Sequence, residues 1–143
     1  MKVRIKRVDK TLPLPEYKTA GAVAVDLSAR LDVKVPARSV AYVPLNVILA
    51  PPEGYMILIA ARSSLHKRGL MMANSVGIGD RDFSGNDDEY TAALYNFSDE
   101  DVMVARGERI VQALLFQYGI AEWEEVDDME KGSRGGFGTT GHI

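Results

Sequence analysis

The sequence predicts an all-β barrel or sandwich, and three observations predict it. Short runs rich in Val, Ile, Leu and Tyr recur along the 143 residues, separated by turn signals at intervals of about 8 to 12 residues. No segment sustains the apolar period of an amphipathic helix. No internal repeat divides the chain, whose length fits one domain with a core of its own.

The elements follow in order. Lys2 to Val8 alternates basic and apolar residues, with Val3 and Ile5 on one face, as in a half-buried strand. Leu12-Pro13-Leu14-Pro15 is extended or turning, because the residue before a proline avoids the helical region. Ala20 to Ala29 is small and apolar, interrupted by Asp26. Val33 to Val35 is a short strand. Val40 to Leu49 is another, and Pro44 puts it at a sheet edge or a bulge, since proline has no N–H for a ladder. Pro51, Pro52 and Gly54 mark a turn. Tyr55 to Ala61 is continuously apolar and reads as a buried strand. Arg62 to Gly69 gives one or two helical turns, with Gly69 as the stop. Leu70 to Ala73 resumes extended structure and leads into a hairpin over Asn74 to Gly85. Tyr90 to Phe97 is a strand, Asn96 to Asp101 a turn, Val102 to Val104 a short strand, and Ala105 to Glu108 a turn. Ile110 to Tyr118 is an apolar strand with Gln112 embedded in it, and Trp123 to Val126 is expected as the last strand. Lys131 to Ile143 carries five glycines in thirteen residues and one aliphatic residue, Ile143. It cannot form a core and is expected to be an arm that a ligand or partner orders.

Composition narrows the function. Net charge is −3, whereas a general nucleic-acid binder is basic, so no nucleic-acid partner is expected. Without cysteine there is neither a disulfide framework nor a thiolate metal site. No apolar run reaches the roughly 18 residues of a membrane span, and the stretch Met1 to Arg7 lacks a signal peptide's apolar region. No membrane partner is expected, and the expected compartment is cytoplasmic. Two histidines, His66 and His142, argue against a protein cage for a transition metal. A metal here would be Mg²⁺, bound through phosphate and water.

Several stretches could carry chemistry. Asn74 to Gly85 combines Val76 and Ile78 with glycines, Asp80, Asp82 and Phe83. Glycine permits close approach of backbone to a ligand, so the stretch could offer its own N–H and C=O groups to a flat ring, with Asp80 as a base at the pocket edge. The plainer alternative is a turn with solvated acids. Arg62, Ser63 and Ser64, at a strand's end, suit phosphate oxygens, or else a serine caps the following turn. Gln112 in an apolar strand needs partners. Asp26 among apolar residues is either paired to an arginine or placed near a metal-bound anion. In the arm, Arg134, Gly135, Gly136, Phe137, Gly138, Thr139 and Thr140 resemble a phosphate loop in composition, though without the Walker ending.

Taken together these stretches resemble a family. Ala24-Val25-Asp26-Leu27-Ser28-Ala29, Arg62-Ser63-Ser64-Leu65, Asn74 to Gly85, Gly107-Glu108-Arg109-Ile110-Val111-Gln112, and Gly135 to Gly141 are similar, in order and spacing, to the five motifs of the trimeric deoxyuridine triphosphatases (dUTPases). The resemblance spans about residues 19 to 141. It implies a β-clip, jelly-roll-like distorted barrel over residues 1–130, assembled as a homotrimer with shared active sites. Residues 131–143 would be a flexible glycine-rich arm that closes over the site. It implies hydrolysis of dUTP to dUMP and pyrophosphate with Mg²⁺ on the triphosphate, a reaction that sanitises the nucleotide pool and supplies dUMP.

The resemblance also assigns roles. Asp80 matches the catalytic acid that prepares a water for attack at the α-phosphorus. Asn74 and the backbone around Gly77 match the reader of uracil, leaving little room for a thymine methyl. Phe83 matches an aromatic that packs on deoxyribose and excludes a 2′-hydroxyl. Arg62, Ser63, Ser64 and Gln112 match residues that hold phosphates and order the water. Asp26 matches an acid that meets the metal indirectly, through water. Phe137 would stack on uracil, Arg134, Thr139 and Thr140 would hold the γ-phosphate, and Gly138 would be a further substrate-binding residue. This chain departs from the pattern at several places. Gly79 replaces an aliphatic residue before Asp80, which removes stiffness there. Phe83 replaces a tyrosine. Asn86 to Glu89 lengthens the next segment with acids that bind an ion or shape a loop. Arg134 stands directly before the paired glycines. A dCTP deaminase shares the fold, but Lys67 stands where its arginine is expected. A catalytically weak binding or regulatory protein on this fold is the other alternative, resting on Gly79.

Overall fold

The computed structural model describes residues 1–136. Its strands are β1 Arg4–Arg7, β2 Val25–Ser28, β3 Val33–Val35, β4 Val40–Pro44, β5 Val47–Ala50, β6 Tyr55–Ala61, β7 Leu70–Met72, β8 Gly77–Gly79, β9 Thr91–Asn96, β10 Val102–Val104 and β11 Arg109–Gln117. One 3₁₀ turn, Leu65–Arg68, ends on Gly69 at φ 73°, where a side chain would be strained. The strands form a four-stranded sheet in the order β2–β11–β6–β8, a three-stranded sheet β4–β9–β7, and the pairs β1–β5 and β10–β3. Every pairing is antiparallel. The architecture is all-β, as the sequence predicts.

The core lies between these sheets. Leu27, Val43, Leu70, Leu94, Val104 and Val111 are fully buried, and each comes from a different strand by the two-residue alternation of a sheet face. Two buried asparagines fix the corners. Asn96 donates to the carbonyls of Val35 and Glu100 and accepts from Ser98, closing the turn after β9. Asn46, at φ 66°, breaks the predicted Val40–Leu49 strand into β4 and β5. Its side chain is tied to the backbone of Asp9, and its N–H donates to Glu89. Pro44 ends β4, an edge strand, as expected of a residue without an N–H.

Three expectations need correction. Ile5 is 39% exposed, so β1 shows less burial than its alternation predicts. Trp123 to Val126 forms no strand and is exposed. The Asn74–Gly85 stretch is not a hairpin closed on itself. β7 pairs with β9 while β8 pairs with β6, so the chain crosses from one sheet to the other at Ser75, which sits at φ 62°.

Candidate active site

Asp26, Arg62 and Gln112 are distant in sequence and meet at one end of the four-stranded sheet. Gln112 faces Asp26 in the β11–β2 register, and Val111 faces Ala61, the residue before Arg62, in the β11–β6 register. Arg62 Nε donates to Asp26 Oδ1 at 2.9 Å, and Arg109 Nη1 stands 3.1 Å from Oδ2. Arg62 also donates to the Arg109 carbonyl at 3.0 Å. Two guanidiniums thus offset the desolvation of a mostly buried carboxylate and are themselves held in place. Of the two readings of Asp26, pairing to arginine is what the structure shows. Gln112 Nε2 donates to the Ala61 carbonyl at 2.9 Å, which leaves the amide oxygen as an acceptor. Beside this cluster opens a groove of about 470 Å³ lined by Arg62, Ser64, Lys67, Arg68 and Arg109. Arg68 is paired with Glu108. Ser63 and Ser64 are exposed, and Ser64 stands at the start of the 3₁₀ turn without making a capping bond, so the capping alternative fails for that residue.

The second cluster surrounds β8. This strand is the edge of its sheet, so the backbone on its outer side pairs with no described strand. Those groups are the kind a planar ring with donors and acceptors can engage. Gly77 allows the strand to lie close to β6, where an added Cβ would come within 3.1 Å of Ile59 Cβ. Asn74 is exposed in the turn before β8. Asp80 follows β8, exposed, and its carbonyl accepts the Phe83 N–H at 3.1 Å, which curls the chain so that Phe83 returns beside it. The Phe83 ring meets Tyr90 edge to face, with centroids 5.4 Å apart and planes at 85°.

The loop from Gly85 to Tyr90 is shaped by its acids. Glu89 takes both arms of Arg30, at 2.8 and 2.9 Å, and the Asn46 N–H at 2.8 Å. Asp88 accepts the Gly85 N–H at 2.6 Å. Glu89 and Asp88 therefore anchor the return of the chain to Tyr90. Tyr90 explains Gly79. A Cβ on residue 79 would lie 2.1 Å from the Tyr90 hydroxyl and 2.8 Å from its Cε1 and Cζ. The glycine makes room for a phenol, and that ring restores the bulk that its own missing side chain would supply. Burial, and after it the charge of Asp80, pushes the Tyr90 phenol up to about 12.

The two clusters do not meet within one chain. Gly79 faces Ile57 near the start of β6, whereas Arg62 follows its end. Six residues of strand separate the levels of Asp80 and Arg62, roughly 20 Å at the usual rise. Arg134 is exposed, and Phe137, Gly138, Thr139 and Thr140 lie outside the described residues. Among those described, no group of three His, Asp or Glu side chains converges as metal ligands. The site residues named from sequence omitted Arg109, whose carboxylate partner was visible as a lone acid in an apolar stretch. They also omitted Tyr90, whose signal was the missing volume at Gly79.

Comparison with known proteins places the chain. The dUTPase family model matches residues 10–141.

The chain belongs to the dUTPase family.

Among curated members, the deoxyuridine 5′-triphosphate nucleotidohydrolase of Dictyoglomus turgidum is 39% identical over 148 residues, covering 99% of each chain. The solved dUTPase of Streptococcus mutans superposes with a TM-score of 0.76 at 27% identity, over 83% of this chain and 98% of that one. The dUTPase of Staphylococcus bacteriophage 80alpha with dUPNHPP gives a TM-score of 0.86 over 99% of both chains at 20% identity, which speaks for the fold alone. Within this dUTPase-family chain, four of the five motif stretches sort into the Asp26–Arg62–Gln112 cluster and the β8 cluster around Asp80, and the fifth, Gly135 to Gly141, lies largely outside the described residues.

Proposed function

We propose that this chain hydrolyses dUTP to dUMP and pyrophosphate, in sites shared between the copies of a cytoplasmic homotrimer. One observation carries the reading. A cationic groove and a carboxylate at an unpaired strand edge lie at opposite ends of β6, so each is half of a site. The phosphates of one nucleotide are linked through single oxygens, too short a path to join two clusters roughly 20 Å of strand apart. A second copy must bring its groove to the first copy's Asp80. Ile120, Trp123 and Met129 support assembly, being 87%, 92% and 76% exposed in the segment after β11.

The chemistry follows from the residues. Uracil lies along the outer edge of β8 with Asn74, where a thymine methyl has little space. The deoxyribose packs on Phe83, which leaves no room for a 2′-hydroxyl. The Asp80 carboxylate accepts a proton from the water that attacks the α-phosphorus in line. Arg62, Ser63 and Ser64 hold phosphate oxygens, and the amide oxygen of Gln112 accepts a hydrogen bond from that water. The arm, residues 131–143, closes over the nucleotide with Phe137 on the base and Arg134, Gly138, Thr139 and Thr140 on the γ-phosphate, excluding bulk water.

The donor set fits a Mg²⁺ that arrives on the triphosphate. Both Asp26 oxygens are engaged by guanidiniums, so Asp26 would meet the ion only through its water. Such an ion would neutralise phosphate charge on a chain of net charge −3. The test is pyrophosphate release from dUTP, dTTP, dCTP and UTP with Mg²⁺. Release from dUTP alone is expected, and equal turnover of all four would refute the base and sugar reading.

A further inference from the structure

Tyr90 has no role in the scheme above, yet its position is unusual. It is 6% exposed and packs in the main core. Its hydroxyl is the buried side-chain polar atom that finds no hydrogen-bond partner among the described residues. Folded proteins rarely leave such a group unpaired, and those they keep tend to serve a site. The hydroxyl lies against the last residue of β8, in the space Gly79 opens. The next residue is Asp80. The same ring meets Phe83 edge to face. One side chain therefore packs against Phe83 and against the residue that precedes Asp80.

We propose that Tyr90 is a positioning residue for Asp80 and Phe83. Its O–H supplies the hydrogen bond, across one water, that fixes the Asp80 carboxylate, and its ring braces the aromatic that tests the sugar. Burial chiefly, and after it the nearby charge of Asp80, raises the phenol, so the hydroxyl stays a protonated donor within the field of that carboxylate. Replacement of the aliphatic residue by Gly79 is then one half of an exchange, and Tyr90 is the other half. The inference rests on the dUTP reading and names a further residue for that site.

The test uses the full-length protein and two variants. Tyr90→Phe removes the hydroxyl and keeps the ring. It is expected to lower kcat about tenfold, the effect of one hydrogen bond to a charged group, with KM for dUTP within about twofold of wild type by the same arithmetic. The Tm should change little, because the ring and its packing are kept. In an Asp80→Asn background the same change should cost nothing further, since the two groups act as a unit. Tyr90→Leu removes the brace as well and should raise turnover of UTP relative to dUTP. Unchanged kcat in Tyr90→Phe overturns the hydroxyl's role while leaving the dUTP reading intact. A fall in kcat matched by a fall in Tm assigns the effect to packing and overturns it too. Equal UTP-to-dUTP ratios in both variants overturn the brace. No turnover of dUTP by the unmodified protein overturns both readings together.

Discussion

Gly79→Ala tests the packing beneath Asp80 most directly. The new methyl would stand 2.1 Å from the Tyr90 hydroxyl and 2.8 Å from Cε1 and Cζ, where carbon atoms prefer about 3.5 to 4.0 Å. Tyr90 cannot rotate away cheaply, because it is 6% exposed and its ring packs against Phe83. Either the ring retreats into a close-packed core or β8 lifts from β6. Overpacking of this kind costs about 1 to 3 kcal/mol, which lowers the Tm of a chain this size by about 3 to 10 °C. Calorimetry at matched protein concentration reads the shift. The cycle is completed with Tyr90→Leu, which vacates the contested space. The alanine should then cost at least about 1 kcal/mol less than in wild type. A cost that is absent, or the same in both backgrounds, would refute the exchange between the two positions.

Three further outcomes are expected. Asp80→Asn should lower kcat about 10² to 10⁴-fold while dUTP still binds; loss of binding would instead make Asp80 a binding residue. Deleting residues 131–143 should depress turnover and leave the Tm unchanged, and a collapsed melting curve would make the arm structural. Stability should also fall in alkali for an identifiable reason. Below pH 10 the Tyr90 phenol is protonated in both folded and unfolded chains. As pH rises from 10 towards 12, the unfolded chain releases this proton and the folded chain retains it, so unfolding gains. The loss is about 2 to 3 kcal/mol, and a denaturant series should show it missing in Tyr90→Phe.

Local chemistry was legible where one residue type decides the outcome. Tyr55 to Ala61 is a strand over that span, Gly69 stops the 3₁₀ turn, and Pro44 sits on an edge. Sheet membership was not legible. β7 and β8 have the same extended character, and nothing in Ala73 to Val76 says that the chain changes sheet between them. The break at Asn46 was hidden for a related reason. Its positive φ follows from bonds to Asp9 and Glu89, which are remote in sequence. Asp26 could be marked as needing a partner, but both partners arrive from other strands. In the sequence Gly79 signals only lost stiffness, because Tyr90, which packs against it, signals only the start of a strand.

In the proposed trimer, the separation of the two clusters along β6 has a genetic and kinetic consequence. Two defective chains, one lacking Asp80 and one lacking Arg62, can repair each other when they assemble together. Random mixing in equal amounts leaves about a quarter of the shared sites with both groups intact. Specific activity should also decline on dilution as the proposed assemblies come apart, a single chain then being expected to hold the fold without turnover.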